Sequence, residues 1–171
     1  VCILSNTSKM PGYSISTPAA DCKTGSKLAQ VPGSVCHGCY ALKGSYRYPN
    51  VKEAMAKRQD FMKSPKWVEL MVETINKTRS PYFRWFDSGD VQSVQHGHQI
   101  LEVCERTPGK SHWIPTRETK IWKTVLLQRK GMLPGNVVLR ASATMVNDSP
   151  LKSFENTSTV HDENYQGPSL G

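Results

Sequence analysis

Between Tyr82 and Ala141 the hydrophobic pattern alternates between two periods, and that alternation leaves few folds open. Tyr82-Phe83-Arg84-Trp85-Phe86 is an aromatic run suited to a pleated strand. Ser93 to Arg106 follows with Val94, Ile100, Leu101 and Cys104 on one helical face. His112-Trp113-Ile114 reads as a second strand, and Thr119 to Lys130 as a helix with Ile121, Val125 and Leu126 inward. Pro134-Gly135 then turns the chain into a third strand, Val137 to Ala141. A β-α-β-α-β order with connections of about 25 residues implies parallel strands joined by right-handed crossovers. Flanking patterns extend it: a strand at Tyr13 to Thr17 stopped by Pro18, helices from Asn50 to Met62 and from about Ser64, and an edge strand at Thr157 to His161. The expected fold is a single α/β domain over residues 1–171, with a mostly parallel sheet and crossover helices.

In such sheets functional groups gather at the carboxyl ends of the strands. Those ends carry Asp87-Ser88-Gly89-Asp90, Pro115-Thr116-Arg117-Glu118 and Ser142-Ala143-Thr144. Asp87, Ser88, Asp90, Thr116 and Arg117 are therefore candidate ligand-binding residues, with Asp87 able to accept from an amine and Arg117 able to clamp a carboxylate or phosphate. The same carboxylates also suit plain turn and cap chemistry, and Arg84, Arg117 and Arg140 suit neutralising them.

Residues 18–50, after the first strand, read as a long irregular loop punctuated by Gly25, Pro32, Gly33, Gly38, Gly44 and Pro49. A loop of that length in a compact domain needs a fastener. It holds three of the chain's five cysteines, Cys22, Cys36 and Cys39, the last two as Cys-His-Gly-Cys. Shared metal ligation would explain both observations. Three thiolates suit a [4Fe–4S] cluster whose fourth iron takes another ligand. Zinc is the alternative, with His37 or Cys104 to complete a tetrahedron. A redox Cys-x-x-Cys would sit at a helix start directly after a strand, which a long preceding loop fits poorly. Cys104 on its inward helix face reads as a small buried hydrophobe, Cys2 as a terminal residue, and His96 and His98 as exposed helix residues whose rings point apart.

Of the side chains, 22 are Lys or Arg and 14 are Asp or Glu, a net charge of +8. The basic residues are scattered, so at most weak, salt-sensitive nucleic-acid binding is expected. There is no apolar run of the ~18–20 residues that spans a bilayer, and Val1 to Met10 lacks a secretory pattern. An odd cysteine count points to reduced thiols in a cytoplasm rather than a disulfide framework. Oligomeric state leaves no mark on the sequence.

Ser14-Ile15-Ser16-Thr17-Pro18, Cys22, Cys36-His37-Gly38-Cys39-Tyr40-Ala41 and Phe83-Arg84-Trp85-Phe86-Asp87-Ser88-Gly89-Asp90 together resemble a family of phage-encoded, gene-product-eighty-eight-like proteins. The resemblance runs from Lys9 to Thr144. It implies a truncated, radical-SAM-like barrel of TIM type, the cytoplasm of an infected host cell, and Cys22, Cys36 and Cys39 as iron–sulfur ligands. The strand-end topology adds the expectation of a small ligand beside the cluster, with redox or radical-type chemistry there. The chain departs from the pattern in two ways: it has no cysteine after Cys104, and it lacks the C-x-x-x-C-x-x-C spacing of radical-SAM enzymes.

Overall fold

The computed structural model describes residues 4–7 and 10–167. Its sheet has six strands in sequential order: β1 (Ser5–Asn6), β2 (Tyr13–Ile15), β3 (Tyr82–Trp85), β4 (Ser111–Thr116), β5 (Val137–Val146) and β6 (Asn156–Val160). From β2 to β6 every pairing is parallel, and β1 adds an antiparallel edge. The sheet is open, with β1 and β6 at its edges. Five α-helices accompany it: α1 (Lys23–Leu28), α2 (Pro49–Met62), α3 (Trp67–Asn76), α4 (Val94–Glu105) and α5 (Thr119–Gln128). The α/β, mostly parallel architecture expected from the alternating pattern is borne out. β1 was not anticipated, because two residues carry no readable period.

Residue alternation explains which face is covered. Phe83, Trp85, His112, Ile114, Leu139 and Ala141 point to one face and are buried against Trp67, Met71 and Ile75 of α3, Ile100, Leu101 and Cys104 of α4, and Trp122 and Val125 of α5. The intervening residues Tyr82, Val138 and Arg140 are exposed. Gly97 lets α4 and α5 close on one another, since a Cβ there would lie 2.7 Å from a Val125 methyl. His112 is a polar residue inside this core. It accepts from the Trp85 indole N–H at 3.2 Å through Nδ1, while its Nε2 lies 2.8 Å from the Thr107 hydroxyl, whose own hydrogen goes to the Val103 carbonyl. That pattern requires a neutral ring with its proton on Nε2.

Two sequence expectations are corrected here. His96 is buried, 5 % exposed, with its ring edge-on to Trp67 and Phe86 and its Nδ1 accepting from the Gln92 N–H. α4 turns that side chain inward, beside Gly97, where the neighbouring aromatics fill the space. His98 does face outward, against Gln128. The stretch 18–50 is also not irregular throughout: it contains α1 and three short 3-10 turns, at Ala19–Asp21, Tyr40–Leu42 and Gly44–Arg47. Local i to i+3 bonds satisfy a backbone that the Gly and Pro punctuation suggested would be unpaired.

Candidate metal and ligand site

The segment bearing the cysteines is fastened to the carboxyl edge of the sheet by protein contacts at three places. At the first, α1 begins directly after Cys22, and the buried Glu118 carboxylate beyond β4 accepts the Thr24 backbone N–H at 2.5 Å and the Thr24 hydroxyl at 2.7 Å. One acidic side chain thus caps the first turn of a helix 94 residues away. The second fastening is to the far end of β5, where the Val35 N–H donates to the Thr144 carbonyl and the Val146 N–H to the Gly33 carbonyl, both at 2.9 Å. At the third, the Tyr40 hydroxyl donates to the Asp87 carbonyl at 2.6 Å and the Tyr46 hydroxyl to the Asp87 carboxylate at 3.3 Å.

These anchors bring Cys22, Cys36 and Cys39 to one cavity of about 120 Å³. Gly25 supplies the space between two of them: a Cβ there would lie 3.0 Å from the Cys22 Cβ, 3.8 Å from the Cys22 Sγ and 3.7 Å from the Cys36 Sγ. Cys22, Cys36, Cys39 and Cys104 are free of disulfide bonds. Burial, with Asp90, Glu118 and the other two thiols nearby, pushes the Cys22 thiol up to about 12. Burial also raises Cys36, opposed by the Arg117 guanidinium. The three line the cavity rather than converging, and among the described residues no three His, Cys, Asp or Glu side chains meet closely enough to hold a single ion.

All five candidate ligand residues from the strand ends line the same cavity. Four have their side chains engaged within the protein. Ser88 donates to the Thr17 carbonyl at 3.1 Å. Asp90, buried, accepts from the Val91 N–H, the Thr116 hydroxyl and the Arg117 N–H at 2.7 to 2.8 Å. Burial pushes its carboxyl up to about 6, and those three donors pull the other way. Thr116 in turn accepts from the Glu118 N–H at 3.0 Å. Asp90 and Thr116 therefore lock the ends of β3 and β4 together. Asp87 is half-exposed, 3.7 Å from Arg84 Nη1. The turn that carries them needs Gly89: its φ is +81°, and a Cβ there would lie 1.9 Å from the Thr17 hydroxyl.

Arg117 differs from the other four. Among the described residues its guanidinium has no hydrogen-bond or ion-pair partner, and its Nε is buried. Elsewhere, His37 turns its Nδ1 to the Ala29 carbonyl, Cys104 sits in the core of α4, and Cys2 lies outside the described residues. Glu118, Tyr40, Tyr46 and Gly25 are contributors that sequence reasoning missed. Glu118 had a signal in its place at a strand's carboxyl end, and Tyr40 in its place directly after the Cys36–Cys39 motif.

The family model for Gene product 88 matches residues 4–170. The chain belongs to the Gene product 88 family. This bears out the family resemblance carried by the Cys36–Ala41 and Phe83–Asp90 segments, both of which border the cavity of this Gene product 88 chain. No curated protein and no solved structure matches it. Among the described residues no helix is long and apolar enough to cross a membrane.

Proposed function

We propose that this Gene product 88 protein is an iron–sulfur protein in which Cys22, Cys36 and Cys39 hold a [4Fe–4S] cluster at the carboxyl edge of the sheet, beside space for a small ligand. The observation that carries the reading is the shared cavity: three free cysteines from two separate turns line it, and Gly25 leaves room beside the sulfurs of Cys22 and Cys36. Their spread around a space suits a polynuclear group that gives each thiolate its own iron. When bound, such a cluster supplies one-electron chemistry and an iron without a protein thiolate. The chain's own residues do the rest. Glu118 and the β5 contacts hold the thiols in place, burial limits water, and Asp87 and Arg117 offer charge at the cavity wall. Sequential parallel strands with helices packed on one face support reading the sheet as an arc of a TIM-type barrel left open. Cysteines free of disulfide bonds suit a cytoplasmic setting, that of the host cell for a phage-encoded protein.

The test is purification without oxygen. Brown protein absorbing broadly near ~400 nm, with stoichiometric iron and sulfide, supports the reading. Replacing Cys22, Cys36 or Cys39 with Ala is expected to remove most of the iron, and Cys104→Ala to keep it. A colourless protein with stoichiometric zinc overturns the reading in favour of a zinc-stabilised basic module binding nucleic acid or a protein.

A further inference from the structure

Two arginines face the cavity with nitrogen atoms that nothing among the described residues satisfies. Arg117 follows β4, and Arg84 lies on β3. The Nε of each is buried without a hydrogen-bond partner among the described residues. Arg84 is partly committed elsewhere: its Nη1 lies 3.7 Å from the Asp87 carboxylate and its guanidinium stacks 4.9 Å above the Trp113 ring. Arg117 has no such commitment among the described residues; its backbone N–H donates to Asp90, and its guanidinium is left over. A buried, unsatisfied donor on a cationic side chain is costly, and an acceptor arriving from outside, at the wall of a cavity, relieves that cost.

The other wall groups narrow what that acceptor is. Ser88, Asp90 and Thr116 have already spent their polar atoms on neighbouring strands. Asp87 is held by Arg84 and by the Tyr46 hydroxyl, so it offers little to an amine. The unmet demand in the cavity is for negative charge with acceptor oxygens. A planar guanidinium fork meets a carboxylate or phosphate edge with paired bonds. The space admits a small group, and Tyr40 and Leu42, both exposed at its border, provide an apolar lip over which a larger molecule can extend.

We propose that the cavity binds a small organic oxyanion, a carboxylate or phosphate, anchored by the Arg117 guanidinium with Arg84 assisting. The inference rests on the iron–sulfur reading for what the anion lies beside, and on the arginines alone for its anchor. The carboxylate and phosphate sources are separated by the choice of probe.

The experiment is calorimetric titration of the full-length, anaerobically prepared protein with oxalate and, separately, inorganic phosphate. Iron and sulfide are assayed on the same samples. Saturable binding of at least one probe is expected, weakened about tenfold or more by Arg117→Met and less by Arg117→Lys, which keeps the charge and loses the fork. Lys123→Met, an exposed residue on α5, is expected to leave binding unchanged. A thermal melt on each variant separates lost binding from lost folding, and Arg117→Lys carries the test if Arg117→Met does not fold. Binding of neither probe overturns the proposal, as does equal weakening by Lys123→Met, which marks diffuse attraction to a basic protein. Arg117-dependent binding in a protein without iron keeps this inference and sinks the cluster. A loaded cluster without probe binding does the reverse.

Discussion

Replacing Glu118 with Ala removes the clamp that sets the first turn of α1 and, with it, the position of Cys22. The carboxylate makes two short bonds to Thr24, one to the backbone N–H and one to the hydroxyl. Hydrogen bonds to a charged acceptor are worth roughly 1.5–3 kcal/mol each. Thr24 is half-buried, so water recovers part of that on deletion, and the expected loss is about 3 kcal/mol. Thr24→Val removes only the hydroxyl's share and is expected to cost about 1 kcal/mol. Because both variants act on one interaction, Thr24→Val is expected to add little in the Glu118→Ala background. Urea denaturation followed by far-UV dichroism gives the stabilities. Iron content and amide exchange across residues 22–28 report the local effect, which is expected to be faster exchange and lower iron occupancy. If Glu118→Ala unfolds within about 0.5 kcal/mol of the parent with unchanged iron, the clamp does not position the cysteines and the reasoning fails.

Gly25→Ala is expected to move two observables in opposite directions. Inside α1 it adds up to about 1 kcal/mol of helix stability, while its Cβ crowds the Cys22 side chain and the space beside Cys36 and lowers iron content. Gly89→Ala is expected to destabilise by more than about 2 kcal/mol in thermal or urea melts, because its positive φ and the 1.9 Å approach to Thr17 leave no relaxed position for a Cβ. Burial holds both His96 and His112 down at about 4, against 6.5 when exposed. The folded state therefore refuses protons that the unfolded chain accepts, so stability from these groups is complete above pH 6.5 and falls as pH drops toward 4. Each withdraws up to about 3 kcal/mol over that window. Stability measured at pH 7, 5.5 and 4.5 is expected to fall in that order, and His112→Gln to flatten the slope by about one proton.

The elements between Tyr82 and Val146 were legible because their residues obey local rules. Aromatic and β-branched runs mark β3 to β5, and inward apolar residues at helical spacing mark α4 and α5. The three cysteines were legible as a group because they share one Gly- and Pro-rich segment. Their shared segment did not reveal what holds it. Thr24 and Glu118 are 94 residues apart, and Tyr46 meets Asp87 across 41, so neither pair leaves a periodic trace. His96 and His98 look alike in sequence, yet one is caged by Trp67 and Phe86 and the other faces Gln128, because helix rotation against neighbouring elements decides which side is inward. The strand-end polar residues show the same division. Sequence placed Asp87, Ser88, Asp90, Thr116 and Arg117 at one edge, since strand ends follow from the alternation. Tertiary packing alone sorted them. Asp90 and Thr116 found each other across β3 and β4, Ser88 found Thr17, and the Arg117 guanidinium was left facing the thiols, because hydrogen-bond partnership depends on distances that only the closed fold sets.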